Sequence, residues 1–298
     1  MSGVCGKEAW RVSLHGGHSS GYCDHAADPL ADMLDAAVAA GMTVFGVTEH
    51  APRVEEARLY DEERTLGWTV ETLAALFSAY AAELDRLIPA YAVRLEVLKG
   101  FEAEMVPEDR YAVLTRGWRE SLGFDYIVGS VHYVAGHIID YTPDRFARAV
   151  EASGGPERAC AAYFRNVAEM VLALRPEVVG HFDLIRRCFP DDTVVSIPAV
   201  RDAAREALAA VREAGTIVDV NTGGYRKGLG HPYPAPWIVE AARDLGIPMC
   251  FGDDSHSAAQ VGAGIDEARR YLLAHGVREV TRLRRGKGGL NRERVPLE

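Results

Sequence analysis

Nine side chains of metal-ligating type recur at the ends of strand-like runs. His15, His18 and His25 lie in Leu-His-Gly-Gly-His-Ser-Ser-Gly-Tyr-Cys-Asp-His, His50 in Val-Thr-Glu-His and Glu102 in Lys-Gly-Phe-Glu-Ala-Glu. His132 closes Gly-Ser-Val-His, His181 closes Val-Val-Gly-His, and Asp254 and His256 share Gly-Asp-Asp-Ser-His. Imidazoles mixed with carboxylates suit zinc, iron or manganese, and the high histidine share disfavours an all-magnesium site. Each position has an ordinary structural reading when taken singly; one shared cluster accounts for the whole set. His15 and His18 are three apart, out of step with a strand's period of two, so they converge only if Gly16-Gly17 turns the chain; without that they are two histidines of a surface loop. His50 alone reads as a cap or a partner to a loop carbonyl. His132 and His181 end glycine-containing apolar runs, where a buried neutral imidazole needs a hydrogen-bond partner or a cation. Asp254 alone reads as a helix cap, which leaves His256 unexplained. Glu102 and Glu104 share a face; Glu102, nearer the end of the apolar run, is the expected bridge between two ions, with Glu104 as the alternative.

A second set of residues suits an anion. Asn221-Thr-Gly-Gly-Tyr-Arg-Lys-Gly-Leu-Gly-His-Pro-Tyr-Pro234 is a glycine-rich loop following a strand, and its Arg226-Lys227 pair adds charge to free backbone amides, a combination that binds phosphate. A solvated basic turn is its plain alternative. Arg186 and Arg187, shortly after His181, are further phosphate candidates. Competing chemistry lacks support: there is no Gly-x-Ser-x-Gly elbow, no Gly-x-x-x-x-Gly-Lys-Ser/Thr loop and no Gly-x-Gly-x-x-Gly opening a helix after the first strand. His137, His231 and His275 fall outside the strand-end pattern and are not assigned as ligands.

The elements that must position these groups read as repeated βα units around a parallel sheet. Strands are expected at Trp10 to His15, Met42 to Thr48, Val93 to Phe101, Phe124 to Val131, Val178 to Gly180, Thr216 to Val220 and Ile247 to Gly252. Helices are expected from Pro29 to about Ala40, capped by Asp28 and ended by Gly41, then over Thr69 to Ile88, Pro107 to Leu122, Pro198 to Ala214, Pro236 to Leu245 and Ser257 to Ala274. A polar segment runs from Arg53 to Thr65. From Pro143 two helical pieces are separated by Gly154-Gly-Pro156, an insertion expected to shape an entrance. Seven such units place the candidate ligands at the carboxyl ends of successive strands, the face on which an (β/α) barrel assembles its chemistry.

A chain of 298 residues fits one α/β barrel domain, and no repeat or linker marks a boundary. The 48% apolar share supports a large core, and 26% charge suits an aqueous protein. A net charge of -10 argues against a general nucleic-acid binder. It does not exclude a small anionic substrate, since three divalent ions outweigh the ligand carboxylates locally. Cys5, Cys23, Cys160, Cys188 and Cys250 are odd in number and scattered, which fits the reducing cytoplasm better than a disulfide framework. The opening residues hold no apolar signal core, and no apolar run approaches the roughly 20 residues that cross a bilayer.

In order, His-Gly-Gly-His-Ser, Thr-Glu-His, Gly-Phe-Glu, Gly-Ser-Val-His, Gly-His-Phe-Asp and Gly-Asp-Asp-Ser-His resemble the polymerase-and-histidinol-phosphatase (PHP) superfamily. Asn-Thr-Gly-Gly-Tyr-Arg-Lys and Pro-Tyr-Pro resemble its monofunctional histidinol-phosphatase branch. The resemblance runs from Leu14 to His256 and implies a distorted (β/α)7 barrel with a trinuclear metal centre. It assigns His15, His18, Glu102 and Asp254 to one ion, Glu102, His132 and His181 to a second, and His25, His50 and His256 to a third. Many members carry His-x-His where this chain has His15-Gly16-Gly17-His18. The implied reaction is hydrolysis of a phosphate monoester, L-histidinol phosphate, in histidine biosynthesis. Glu102, Asp254 and His132 form its catalytic group; Arg226, Lys227, Asn221 and Arg186 hold the phosphate; hydroxide generated at bridged ions attacks phosphorus without a covalent enzyme intermediate. His137 or a water on an ion is a candidate acid for the leaving oxygen. The rivals are a phosphoesterase of the same superfamily acting on nucleotides or nucleic-acid ends, and a metal-stabilised binding protein.

Overall fold

The computed structural model describes residues 8–189 and 193–298, so that Cys5 and the opening segment lie outside it. Seven parallel strands follow one another around a single sheet in chain order: β1 Val12–Ser13, β2 Val44–His50, β3 Glu96–Glu104, β4 Tyr126–Ser130, β5 Val178–Val179, β6 Ile217–Asn221 and β7 Met249–Gly252. The ends meet: Leu14 N donates to Phe251 O at 2.8 Å and Asp253 N to His15 O at 3.0 Å. The result is a nearly closed (β/α)7 barrel flanked by helices. β1 is shorter than expected, because Gly16-Gly17 turns the chain out of the strand and Gly16 N bonds across to Gly46 O.

Period-two alternation sorts the strand residues. Val12, Leu14, Val44, Leu98, Tyr126, Val128, Val178, Ile217 and Cys250 pack together inside the barrel. Phe45, Val47, Val97, Phe101, Val179, Val218 and Val220 face the surrounding helices. Tyr126 crosses the interior to donate to Leu14 O at 2.7 Å. Gly46 makes room for it, since a Cβ there would stand 1.8 Å from the phenol oxygen.

The connecting helices are α1 Leu30–Ala39, α2 Val70–Tyr91, α3 Tyr111–Leu122, α4 Pro143–Ser153, α5 Pro156–Leu174, α6 Pro198–Ala214, α7 Pro236–Asp244 and α8 Ile265–Ala274. Two expectations are corrected. Asp28 does not cap α1, whose N-cap is Pro29 without a side-chain bond; its carboxylate accepts from Ala258 N at 2.7 Å and ties the loop after β1 to the loop after β7. The last helix begins at Ile265 rather than Ser257, because a 3-10 turn and the positive-φ residues Gly262 and Gly264 intervene. No helix among the described residues is long and apolar enough to cross a membrane.

A carboxy-terminal hairpin, β8 Glu279–Gly286 with β9 Gly289–Pro296, has no counterpart among the elements expected from the sequence. It covers the amino-terminal end of the barrel, where Leu283 joins the interior cluster and Arg284 and Arg285 pair with Glu96 and Asp125. Burying that leucine contributes about 1.5–3 kcal/mol and seals the end away from the chemistry.

Candidate active site

Strand alternation decides which side chains reach the barrel mouth. From the interior residue Leu98, steps of two lead to Glu102 and Glu104; from Val44 to His50; from Tyr126 towards His132; from Ile217 to Asp219 and Asn221. His15 and His18 stand on the Gly-Gly turn, where His18 N bonds to Ser255 O at 2.8 Å. His181 and Asp254 adopt left-handed backbone, with φ of 21° and 46°. Such a conformation costs a non-glycine residue about 1–3 kcal/mol and persists where surrounding structure enforces it, commonly at functional sites.

Glu102, buried, is the hub. Its Oε1 lies 3.1 Å from His181 Nε2, 3.5 Å from His15 Nε2 and 3.6 Å from His132 Nε2. Its Oε2 lies 2.9 Å from His50 Nδ1 and 3.8 Å from His18 Nε2. The two oxygens therefore address different imidazoles, as a carboxylate shared between cations must. Asp254 Oδ1 is 3.5 Å from His18 Nε2, and the His18 ring stacks on that of His50 at 4.2 Å and on that of His256 at 4.4 Å. His25 sits at the rim, half exposed, its ring 4.7 Å from that of His256 and its Nδ1 3.1 Å from Asp24 Oδ1. All nine positions singled out in the sequence thus converge at one mouth.

The donors fit divalent cations. His15, His18 and Glu102 bring ligand atoms within 4.8 Å of one another, as do Glu102, His132 and His181, then His15, His181 and Asp254, and also His18, Cys23, His50 and His256. His132 Nε2 and His181 Nε2 are 3.2 Å apart, close to the edge of about 3.3 Å between two nitrogens on one tetrahedral zinc. His15 Nε2, both His18 ring nitrogens and His181 Nδ1 are buried without a hydrogen-bond partner among the described residues. Orphaned polar atoms of this kind are costly unless something fills the space between them.

Electrostatics agrees with geometry. Burial pushes His15, His18 and His132 down, but carboxylates outweigh it: Glu102 and Asp219 hold His15 well above its usual value, Asp254 and Glu49 hold His18 at about 9, and Glu104, Asp140 and Glu102 hold His132 at about 10. Against burial, the histidines hold Glu102 and Asp254 well below the carboxylate range. Burial and the charge on His18 push His50 well down and His256 to about 3. The mouth draws positive charge, which cations supply by displacing protons.

Three supporting carboxylates were not singled out as such. Asp219 Oδ2 accepts from His15 Nδ1 at 2.9 Å; Glu104 Oε2 stands 2.5 Å from His132 Nδ1; Glu49 Oε1 accepts from both N and Oγ of Ser19 at 2.6 Å, with Oε2 3.6 Å from His18 Nδ1. Glu104, the alternative bridge, contacts His132 at both N and Nδ1. A signal existed for two of the three: Asp219 interrupts the β-branched run Ile217-Val-Asp-Val220, and Glu49 directly follows the apolar part of a strand at Val47-Thr48, where a buried carboxylate needs a partner.

A cavity of about 510 Å³ opens above the cluster. His25, His50, Glu102, His132, His181, Asp254 and His256 line it, together with Arg187, Arg226, Lys227, Asp24, Glu62 and Asp140. Two residues expected to face a phosphate lie elsewhere. Asn221 is fully buried beneath the site, donating to Asp219 Oδ2 at 2.9 Å and accepting from Gly223 N at 2.8 Å. Arg186 is fully buried on Asp183 and His231, while its neighbour Arg187 turns to the cavity. Arg226 lines the cavity while donating to the carbonyls of Asp253 and Asp254 at 2.7 and 2.6 Å, so it also braces the strained Asp254. His137 lines a separate cleft with Arg58 and Tyr141. The entrance is formed by Tyr60, Glu62, Ile138 and Tyr141 rather than by α4 and α5, which pack against each other and, through α5, on α6.

Comparison with known proteins places this geometry among relatives. The profile of the PHP domain matches residues 15–223. A Schizosaccharomyces pombe protein named "Probable histidinol-phosphatase" is 31% identical over 282 residues, covering 93% of this chain and 91% of that protein. The "Histidinol-phosphatase" of Saccharomyces cerevisiae is 27% identical, with 87% of each chain covered. A crystal structure of the histidinol phosphatase candidate HisK from Listeria monocytogenes superposes with a TM-score of 0.74 at 26% identity, covering 86% of this chain and 99% of that one.

Proposed function

Because the chain belongs to the PHP-domain family, we propose that it is a metal-dependent phosphomonoesterase that hydrolyses L-histidinol phosphate to L-histidinol and inorganic phosphate in histidine biosynthesis. Its 298 residues act as one metallohydrolase domain. The observation that carries the reading is the make-up of the cavity. Clustered imidazoles and carboxylates form its floor, Arg187, Arg226 and Lys227 reach it from the loops after β5 and β6, and Asp24 and Glu62 reach it from the loops after β1 and β2. A molecule with a phosphate at one end and a cationic amine at the other matches that polarity.

Three divalent cations of zinc, iron or manganese type would be held by His15, His18, Glu102 and Asp254, by Glu102, His132 and His181, and by His25, His50 and His256, and would supply Lewis acidity and acidified water. The chain's own residues do the rest. Glu102 turns Oε1 to His181 and His132 of the second set and Oε2 to His18 of the first, and with Asp254 and His132 it makes up the catalytic group. Asp219 and Glu104 hold His15 and His132 by Nδ1, which leaves each Nε2 facing Glu102. Lys227, Arg226 and Arg187 neutralise phosphoryl oxygens as negative charge builds on them. Glu62, at the other side of the mouth, accepts from the substrate ammonium.

Phosphate release from L-histidinol phosphate, measured beside a panel of sugar phosphates, nucleotides and oligonucleotides, tests the proposal. A clear preference for L-histidinol phosphate is expected. Preference for nucleotides or oligonucleotide ends overturns the substrate, and a metal-loaded protein inert to every phosphomonoester overturns the enzyme.

A further inference from the structure

The loop between β1 and α1 carries a residue that belongs to none of the three ligand sets. Cys23 is buried, 5% exposed, and its sulfur is within 4.8 Å of the ligand atoms of His18, His50 and His256. It also groups with Asp24 and His25, so the two sets at this corner of the mouth have Cys23 in common. Its Sγ lies 3.4 Å from His25 Nδ1 and 3.5 Å from His25 Nε2. A tetrahedral zinc with one sulfur at about 2.3 Å and one nitrogen at about 2.0 Å sets them about 3.5 Å apart.

The placement is built in. Glu49 Oε1 accepts from Ser19 N and Oγ, Cys23 N donates to Ser19 O at 3.1 Å, and Ala27 N donates to His256 O at 2.8 Å. The loop is thereby tied to β2 on one side and to the segment after β7 on the other. A second observation points to a ligand at this corner: His18, fully buried and within 4.8 Å of the sulfur, leaves both ring nitrogens without a hydrogen-bond partner among the described residues, and the first cation takes only one of them.

We propose that the Cys23 sulfur is a thiolate ligand of the third cation, beside His25, His50 and His256. The inference rests on the metal-cluster reading of the mouth and adds a donor to it. On binding, the sulfur forms its bond to the cation as the thiol proton passes to solvent. Sulfur is the one soft donor in an otherwise nitrogen and oxygen cluster, so this site selects zinc over manganese more strongly than the two sites around Glu102.

X-ray absorption at the zinc edge of the zinc-loaded wild-type protein tests this without any substitution. A sulfur scatterer at about 2.3 Å is expected; a shell of nitrogen and oxygen alone overturns the inference. The cobalt-loaded protein gives a second readout, a thiolate-to-cobalt charge-transfer band in the near ultraviolet. The band is expected in the wild type and in Cys188→Ser and absent from Cys23→Ser; its persistence in Cys23→Ser, or its absence from the wild type, overturns the inference. Visible cobalt bands without the thiolate band leave the metal cluster standing and remove only Cys23, whereas failure to bind cobalt or zinc at all removes the cluster itself and the inference with it.

Discussion

Asp219 Oδ2 holds His15 Nδ1 at 2.9 Å, and the opposite ring nitrogen, Nε2, lies buried 3.5 Å from Glu102 Oε1 with no hydrogen-bond partner among the described residues. A carboxylate behind a histidine fixes its tautomer and ring orientation and raises its basicity towards a cation on the far side. Asp219 also accepts from Asn221 Nδ2 and, at 3.3 Å, from His181 N, so one buried carboxylate braces strands β1, β5 and β6 at the mouth. Gly252 leaves the space for it, since a Cβ there would stand 2.2 Å from Asp219 Oδ1.

Asp219→Asn keeps the volume and loses the charge. Metal affinity and turnover should each fall about 10–100-fold, the usual consequence of removing such a partner, while circular dichroism stays native. Metal affinity is read by competition with a chromophoric chelator. Unchanged affinity in a folded variant would show that His15 orients itself.

The two neighbouring glutamates should separate. Glu102→Gln removes the charge that both sets of imidazoles share, so activity should be lost and bound metal should fall below the wild-type content. Glu104→Gln leaves Glu102 in place and weakens only the support of His132, for which a loss of about 10–100-fold with metal largely retained is expected. Metal analysis by mass spectrometry beside kinetics distinguishes them, and equal effects would contradict this division between a shared ligand and an orienting partner.

Much of this site was legible because the barrel turns sequence order into spatial convergence. His50, Glu102 and His132 fall an even number of steps from Val44, Leu98 and Tyr126, so apolar alternation already pointed them at the mouth. What stayed hidden depended on local turns. Arg186 and Arg187 are adjacent in a 3-10 turn, Leu184–Cys188, too short for any periodicity to say which faces the cavity. Asn221 shares the inward face with Asp219, yet the cavity floor lies above it and its amide is spent on Asp219. The closing hairpin was obscured by charge: Leu283 sits among Arg282, Arg284 and Arg285, whose pairing with Glu293, Glu96 and Asp125 only the folded chain reveals.

The arginine pair therefore makes opposite predictions. Arg186→Ala strands the buried Asp183 carboxylate, which burial already pushes up and which Arg186 counters, and should cost about 3–5 kcal/mol in denaturant unfolding. Arg187→Ala should leave stability within about 0.5 kcal/mol and raise KM for the phosphate ester about tenfold. Reversed results would return Arg186 to the cavity.

Lys227 gives a pH dependence. Desolvation by the cavity wall, helped by the charge on Arg187, lowers its pKa below the usual lysine value of 10.5. A lowered lysine pKa means charge is lost sooner as pH rises, so affinity for inorganic phosphate as an inhibitor should decline on the alkaline side before pH 10.5 is reached. In Lys227→Arg, whose guanidinium stays charged, that decline should move to higher pH. An alkaline limb identical in both proteins would exclude Lys227 from phosphate binding.

The central claim is that His15, His18, His50, Glu102, His132, His181, Asp254 and His256 make one cation-holding mouth on which phosphoester hydrolysis depends. Metal content and phosphate release from L-histidinol phosphate, followed together through stripping with a chelator and stepwise reloading, test it most directly. Activity should vanish in the stripped but folded protein and return in proportion to the metal restored; a metal-free protein that hydrolyses the ester at the native rate would contradict it.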